Sequence, residues 1–150
     1  MKNYKVCILA AGIGSRSFDP NINKALLPLD GKAVLSNIID KFDQKQKFVI
    51  ALGYLEDQVK QYLIHAHPKT KFEFVTIKKY FGLGSGPGHS LLCCEQKLKC
   101  PFILTSADTV VLENISSPYE NWMGVAPIKN TSDFCTCLLY TSPSPRDRIA

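Results

Sequence analysis

The residues best placed to do chemistry lie near the N-terminus. Residues 9 to 16 read Leu-Ala-Ala-Gly-Ile-Gly-Ser-Arg, and Lys24 follows eight positions after Arg16. The five residues before Gly12 (Cys7, Ile8, Leu9, Ala10 and Ala11) are apolar and small, as in a buried strand that runs straight into a turn. Gly12 and Gly14 let backbone N–H groups approach a phosphate with no Cβ in the way. Arg16 and Lys24 bring two positive charges to the same loop. A strand, a glycine loop and two cations together make a site for the phosphates of a nucleotide.

A dinucleotide fingerprint, Gly-x-Gly-x-x-Gly, is the competing motif. Residues 12 to 17 lack its third glycine, where a helix packs closely on the strand, and Ser17 stands there instead. No acidic residue ends the second strand to hold a ribose. A second chemical candidate is Asp108, which ends the apolar run 102–107 on a carboxylate. A hard oxygen ligand shared with substrate phosphates is the usual way to hold Mg²⁺. An aspartate capping a turn beside Thr109 is the plainer reading of the same position.

The segment from Leu9 to Lys24 resembles the N-terminal signature of the sugar-1-phosphate nucleotidyltransferases, Leu-Ala-Ala-Gly-x-Gly-x-Arg followed at a distance by Pro-Lys. The first part is complete, and Asn23 stands where the pattern has proline. The resemblance implies that an NTP is joined to a sugar 1-phosphate or phosphoalcohol with release of pyrophosphate. It implies nucleotide contacts at Leu9, Ala10, Ala11, Gly12, Gly14 and Ser15, with Arg16 and Lys24 as catalytic cations. It also implies Mg²⁺ on Asp108, where Ala107 replaces the family's glycine. Downstream, Gly86-Pro87-Gly88-His89-Ser90 resembles the Gly-Thr-Gly-His-Ala of N-acetylglucosamine-1-phosphate uridylyltransferases, which lies against the base. That adds Gly86 and Gly88 to the nucleotide contacts. Pro87 lacks the threonine's hydroxyl and N–H, and Phe81 stands where those enzymes carry a base-reading glutamine. Phe81 can stack on a base but cannot read its edge, so the base stays open.

The elements that must position these residues alternate. Val34, Leu35, Ile38, Ile39 and Phe42 share a helical face, and Lys47 to Leu52 is a short buried strand. Leu55, Val59, Tyr62, Leu63 and Ala66 mark a second helix ending near His67-Pro68. Phe72 to Ile77 is a third strand, Leu91, Cys94 and Leu98 outline a third helix, and Pro101 to Thr105 is a fourth strand. Trp122 to Pro127 reads as a further strand, with Gly124 at the start of an acceptor side. Repeated β-α units predict an α/β, Rossmann-like, mostly parallel sheet with helices on both faces. The resemblance makes it the N-terminal part of a nucleotide-diphospho-sugar transferase fold. Ligands in such sheets sit beyond the carboxyl ends of the strands.

The composition excludes several classes. With 150 residues, 45% hydrophobic and 21% charged, the chain suits one globular domain rather than a disordered one. A net charge of +5, with lysines scattered over helices and loops, describes a solvated surface suited to small anions and needs no nucleic-acid partner. Cys7, Cys93, Cys94, Cys100, Cys135 and Cys137 form no C-x-x-C, and the spacing reads as reduced thiols in a cytoplasmic protein. His65, His67 and His89 have no metal-ligand spacing. His65 and His67 sit where a helix end favours positive charge, and His89 opens a helix. Lys2, Lys5 and the apolar run 6–13 loosely imitate a signal peptide, but the run is short and ends at Arg16. No stretch approaches a membrane span. Oligomeric state is not encoded in any pattern here.

The charges set the expected mechanism. A phosphate oxygen of the acceptor, already ionised, attacks the α-phosphorus and pyrophosphate departs, so the site needs positioning and charge stabilisation rather than a general base. The resemblance runs from about Tyr4 to Ile128. Members of the superfamily place an acceptor pocket and a second metal ligand beyond the metal aspartate, and only about forty residues follow here. The expectation is therefore a nucleotidyltransferase domain over 1–137 that is incomplete. Residues 138–150, rich in Ser, Pro and Arg, read as a disordered or adapter-derived tail. A nucleotide-binding module without transferase activity is the alternative, and a domain that binds no nucleotide is a third.

Overall fold

The computed structural model describes residues 4–14 and 19–126. In chain order the elements are β1 (Lys5–Ala10), a 3₁₀ turn (Lys24–Leu26), β2 (Pro28–Leu29), β3 (Lys32–Ala33), α1 (Val34–Ile39), β4 (Lys47–Leu52), α2 (Glu56–Ala66), β5 (Lys71–Thr76), α3 (Pro87–Cys93), a second 3₁₀ turn (Glu95–Lys97) and β6 (Phe102–Ser106). The chain divides into two units, Met1–Glu120 and Asn121–Ala150. In the second, residues 121–126 carry no regular element, so the strand expected over Trp122 to Pro127 does not form within them. The proposed boundary at 137/138 lies outside the described residues.

The four long strands form one parallel sheet in the order β5-β4-β1-β6. Strand period sorts their side chains onto two faces. Val6, Ile8 and Ala10 of β1 and Phe48, Ile50 and Leu52 of β4 meet Leu35, Ile38 and Ile39 of α1 and Val59 and Leu63 of α2 on one face. Cys7, Val49 and Ala51 meet Ile77, Cys94 and Leu98 on the other. Helices therefore cover both faces, as expected of strands that are apolar throughout. Phe48 is fully buried and meets the rings of Phe42 and Phe72, each at a centroid distance of 5.8 Å. Burying such a side chain contributes about 1.5–3 kcal/mol.

Two local features differ from the expected pattern. The third helix stops at Cys93, and the next residues tighten into the 3₁₀ turn. Leu98 still reaches the core, so the apolar spacing survived although the helix did not. Between the first 3₁₀ turn and α1 a small hairpin pairs β2 with β3 through Asp30-Gly31, both with positive φ (51° and 77°). This is the backbone that an Asp-Gly hairpin turn requires.

His67, just past α2, does not act as a helix-end cation. Burial holds its pKa below the usual 6.5, against the opposing pull of Asp40 and with a further push from Lys32. Its Nε2 sits 2.8 Å from Ser36 Oγ, which is also 2.8 Å from Tyr62 Oη, so a neutral ring knits α1 to α2. The folded state thus takes up this proton less readily than the unfolded chain. Stability from His67 is whole above about pH 6.5 and declines as pH falls below it. Glu56 and Glu73, held low by bonds from Thr76 and Lys5 respectively, begin to lose theirs only below about 4.5. Thermal melts of His67→Gln should therefore lack the first decline seen in the parent between about pH 6.5 and pH 5.

Candidate functional site

From β1 the chain builds the sheet outward through β4 and β5 on one side, then returns to place β6 on the other side of β1. A crevice opens at the carboxyl ends of such a strand pair, and loops leaving both strands line it. Gly12 and Gly14 follow β1, and Asp108 follows β6. Leu9 O accepts from Ala107 N at 3.0 Å and Ala11 O from Tyr54 N at 3.0 Å. The carbonyls of Leu9 and Ala11 thus tie the loop after β1 to its neighbours, while Ala10 is buried beneath.

Lys24 reaches across this crevice. Its Nζ lies 2.7 Å from Asp108 Oδ2, and the Ser106 hydroxyl donates to Asp108 Oδ1. Partial burial pushes the Asp108 carboxyl up, but the bonds from Lys24 and Ser106 outweigh it and hold the group below the ordinary aspartate value. Asp108 also lies inside the turn closed by Thr109 N donating to Ser106 O at 3.2 Å, so it is a turn residue and an exposed charged group at once.

The glycines divide by cause. Gly14 has φ +69°, and a Cβ there would stand 2.9 Å from Lys24 Cδ, so the lysine stem lies over it. At Gly12 a Cβ would meet no atom within 4 Å, and φ is not positive. Packing within the protein does not require glycine there, and the backbone faces open space. Gly86 sits at the mouth of α3 with φ +147°, a conformation other residues rarely adopt. Pro87 occupies the first helical turn, where its missing N–H costs nothing. A Cβ at Gly88 would likewise meet nothing within 4 Å. A cavity of about 210 Å³ is lined by Ile13 and Gly14 from the loop after β1 and by Tyr80, Phe81 and Ser85 from the segment before α3. Phe81 is 74% exposed at its edge. Ser15 and Arg16 lie outside the described residues.

Three features were not anticipated. Asn23 is fully buried and fully bonded: Oδ1 accepts from Ala25 N at 3.0 Å, Nδ2 donates to Tyr54 O at 2.6 Å, and its N–H donates to Gln58 Oε1 at 3.2 Å. Its φ of −64° is the value a proline ring would impose. Gln58 Nε2 in turn donates to Asn21 O at 2.7 Å, and the Tyr54 hydroxyl to Pro20 O. Gly53 completes the seam, because a Cβ there would stand 2.7 Å from Ala11 O and 2.8 Å from Tyr80. The Gly53-Tyr54 pair after a strand was the available signal for this close approach.

Elsewhere the chemistry is structural. A larger cavity, about 520 Å³, lies at the opposite end of the sheet between the ends of α1 and α2 and includes Asp40 and His67. Ser36, His67 and Asp40 resemble a hydrolytic triad in type, but Ser36 is 3% exposed and Asp40 is bonded by Lys32 at 2.6 Å. His89 lies 3.7 Å from Cys93 on exposed helix surface, and Cys7, Cys93, Cys94 and Cys100 are free thiols. Among the described residues no three His, Cys, Asp or Glu side chains converge as a metal cage, and no helix is long and apolar enough to cross a membrane. A single exposed carboxylate such as Asp108 fits a hard cation shared with phosphate oxygens, not one held by protein alone.

The sequence matches the MobA-like NTP transferase domain over residues 6–115. It is 28% identical over 134 residues to the bifunctional protein GlmU of Methanococcus vannielii, covering 85% of this chain and 30% of that protein. The chain thus spans about a third or less of the curated relatives it matches. The fold is shared with the CTP:phosphocholine cytidylyltransferase LicC of Streptococcus pneumoniae (TM-score 0.58, 23% identity, 79% of this chain and 51% of that one). A nucleotidyl transferase from Methanothermobacter thermautotroptrophicus is similar in fold as well (TM-score 0.57, 18% identity, 75% and 53%). With its parallel sheet, its glycine loop and more than half of its length matched, the chain belongs to the MobA-like NTP transferase domain family.

Proposed function

We propose that this chain binds an NTP at the β1–β6 crevice and serves transfer of its nucleotidyl group to a sugar 1-phosphate or phosphoalcohol. The carrying observation is the meeting of Lys24 and Asp108 over Gly14, from loops at the carboxyl ends of two adjacent parallel strands. The open backbone at Gly12 and Gly14 receives phosphate oxygens, Lys24 neutralises charge growing near the α-phosphate, and Arg16 acts on the departing pyrophosphate. Leu9, Ala10, Ala11 and Ser15 frame that loop. The base lies in the cavity beside Tyr80 and Phe81, and Gly86 and Gly88 contribute backbone contacts to the nucleotide from the segment that opens α3. Base–aromatic stacking is sequence-tolerant, which suits a wall without an amide reader.

Asp108 is the residue that would hold Mg²⁺ together with the phosphates, and the ion supplies positive charge to the phosphoryl oxygens. In the transfer itself an acceptor phosphate oxygen forms the new bond to the α-phosphorus as the bond to the bridging oxygen of pyrophosphate breaks. Lys24 and the loop amides stabilise the charge on both sides of that exchange without taking a proton. The free thiols among the described residues suit a reducing, cytoplasmic setting.

A thermal-melt panel with Mg²⁺ and each of ATP, CTP, GTP, UTP and dTTP tests this reading. A nucleotide present at 100 times its Kd should stabilise the fold by ~2.7 kcal/mol. The expected result is a shift with one base, absent in Lys24→Ala. A cooperative melt indifferent to all five would overturn the assignment. Pyrophosphate release that depends on an added acceptor then separates transfer from nucleotide binding alone.

A further inference from the structure

Residues 19–23 connect the end of the glycine loop to Lys24. Asp19 accepts from Asn21 N and Ile22 N within the segment, and Tyr54 before α2 and Gln58 in its first turn bind it from outside. Gln58 spreads its amide over this segment, accepting from Asn23 N at 3.2 Å and donating to Asn21 O at 2.7 Å. Tyr54 adds its hydroxyl bond to Pro20 O and receives Asn23 Nδ2 on its carbonyl. Its ring also leans on Tyr80, at 6.4 Å between centroids, and Tyr80 lines the cavity beside Gly14. Asn21 to Asn23 thus have backbone groups on both sides matched to one exposed side chain outside the crevice. Such a two-point amide grip fixes both position and rotation of a short segment, as a single bond cannot.

We infer that Gln58 is a positioning residue, whose two hydrogen bonds to residues 21 and 23 set the place of Lys24 over Gly14. The inference rests on the reading of Lys24 as the phosphate-binding cation. Lys24 is the next residue after the gripped amide, and its stem has only the width of a glycine beneath it. A modest displacement of the backbone at residue 23 therefore moves Nζ away from Asp108 and from the phosphates. Nothing in the hydrophobic core depends on Gln58, which is exposed on the first turn of α2. Alanine there is a strong helix former, so the helix is kept.

Two readouts on the full chain test this. The first needs no nucleotide: the rate of Lys24 acylation by an N-hydroxysuccinimide ester, read by mass spectrometry against Lys45 as reference. Paired Lys24 reacts slowly, and Gln58→Ala should raise its rate several-fold while Lys45 stays near its parent rate and the chain still melts cooperatively. Gln58→Glu, which keeps the acceptor for Asn23 N–H but lacks the donor for Asn21 O, should fall between. The second is Mg·NTP affinity. Gln58→Ala should weaken it roughly tenfold, the worth of one to two hydrogen bonds. The double variant Lys24→Ala/Gln58→Ala should bind no worse than Lys24→Ala alone, since the grip acts through that lysine. An unchanged acylation rate, or losses that simply add, overturns the inference. A parent chain that binds no nucleotide overturns the proposed function instead, and the acylation result still decides the role of Gln58.

Discussion

Lys24→Met should change two affinities in opposite directions. Without its ammonium, Mg·NTP binding is expected to weaken roughly 10- to 100-fold, the range for losing one charge-assisted hydrogen bond. In the nucleotide-free protein, however, the same change removes the cation that sits 2.7 Å from Asp108 Oδ2. A divalent ion and Lys24 compete for that carboxylate. The Asp108 side chain is 54% exposed, so the pair is solvent-screened and worth only ~0.2–1 kcal/mol. Release of Asp108 should accordingly strengthen Mn²⁺ binding by up to about fivefold, as read by electron paramagnetic resonance of free Mn²⁺. Asp108→Asn should abolish that gain. A fall in both affinities would mean that the lysine and the carboxylate do not share the cation's place.

Asn23→Pro should destabilise the fold even though it restores the proline of the nucleotidyltransferase signature. The backbone already holds φ at −64°, so the ring fits and contributes ~0.4–1 kcal/mol by restricting the unfolded chain. Against that gain stand three lost bonds, to Ala25 N, Tyr54 O and Gln58 Oε1. Each is worth ~0.5–1.5 kcal/mol, and a buried group left unpaired adds ~1–3 kcal/mol. The net expectation is a loss of about 2–4 kcal/mol in denaturant melts. Proline fixes this corner by a covalent ring, whereas here asparagine and Gln58 fix the same dihedral by hydrogen bonds. A neutral or stabilising Asn23→Pro would show that the bonds contribute little to the corner.

The legible parts of this chain are those with short-range period. Lys47 to Leu52 reads as a strand because six consecutive residues suit a buried parallel position, and β4 occupies those residues. Val59 and Leu63 mark α2 because they recur at helical spacing. The same logic misled at Leu91, Cys94 and Leu98, where apolar spacing continues through a 3₁₀ turn, and over 122–126, where apolar residues form no strand. The Asp30-Gly31 hairpin carries a plain turn signal, but its two-residue strands are too short to show a period. In the site, Gly12, Gly14, Lys24 and Asp108 could be named from motif and strand edge. That Lys24 pairs with Asp108 could not, since no local pattern brings together side chains 84 residues apart. The grip of Gln58 on residues 21 and 23 was equally hidden, because a lone glutamine on an exposed helical turn has no period to betray it.

The pairing of β1 with β6 has a temporal meaning. Lys5 to Leu9 acquires its second neighbour only when residues 102–106 are available. Lys24 meets Asp108 later still. At ~5–20 residues per second, the ribosome takes roughly 4–17 s to travel between those two positions. Through that interval β1 has one hydrogen-bonding edge without its native partner, and long-range parallel pairing is intrinsically slow to close. The crevice thus closes well after the signature that announces it has been made.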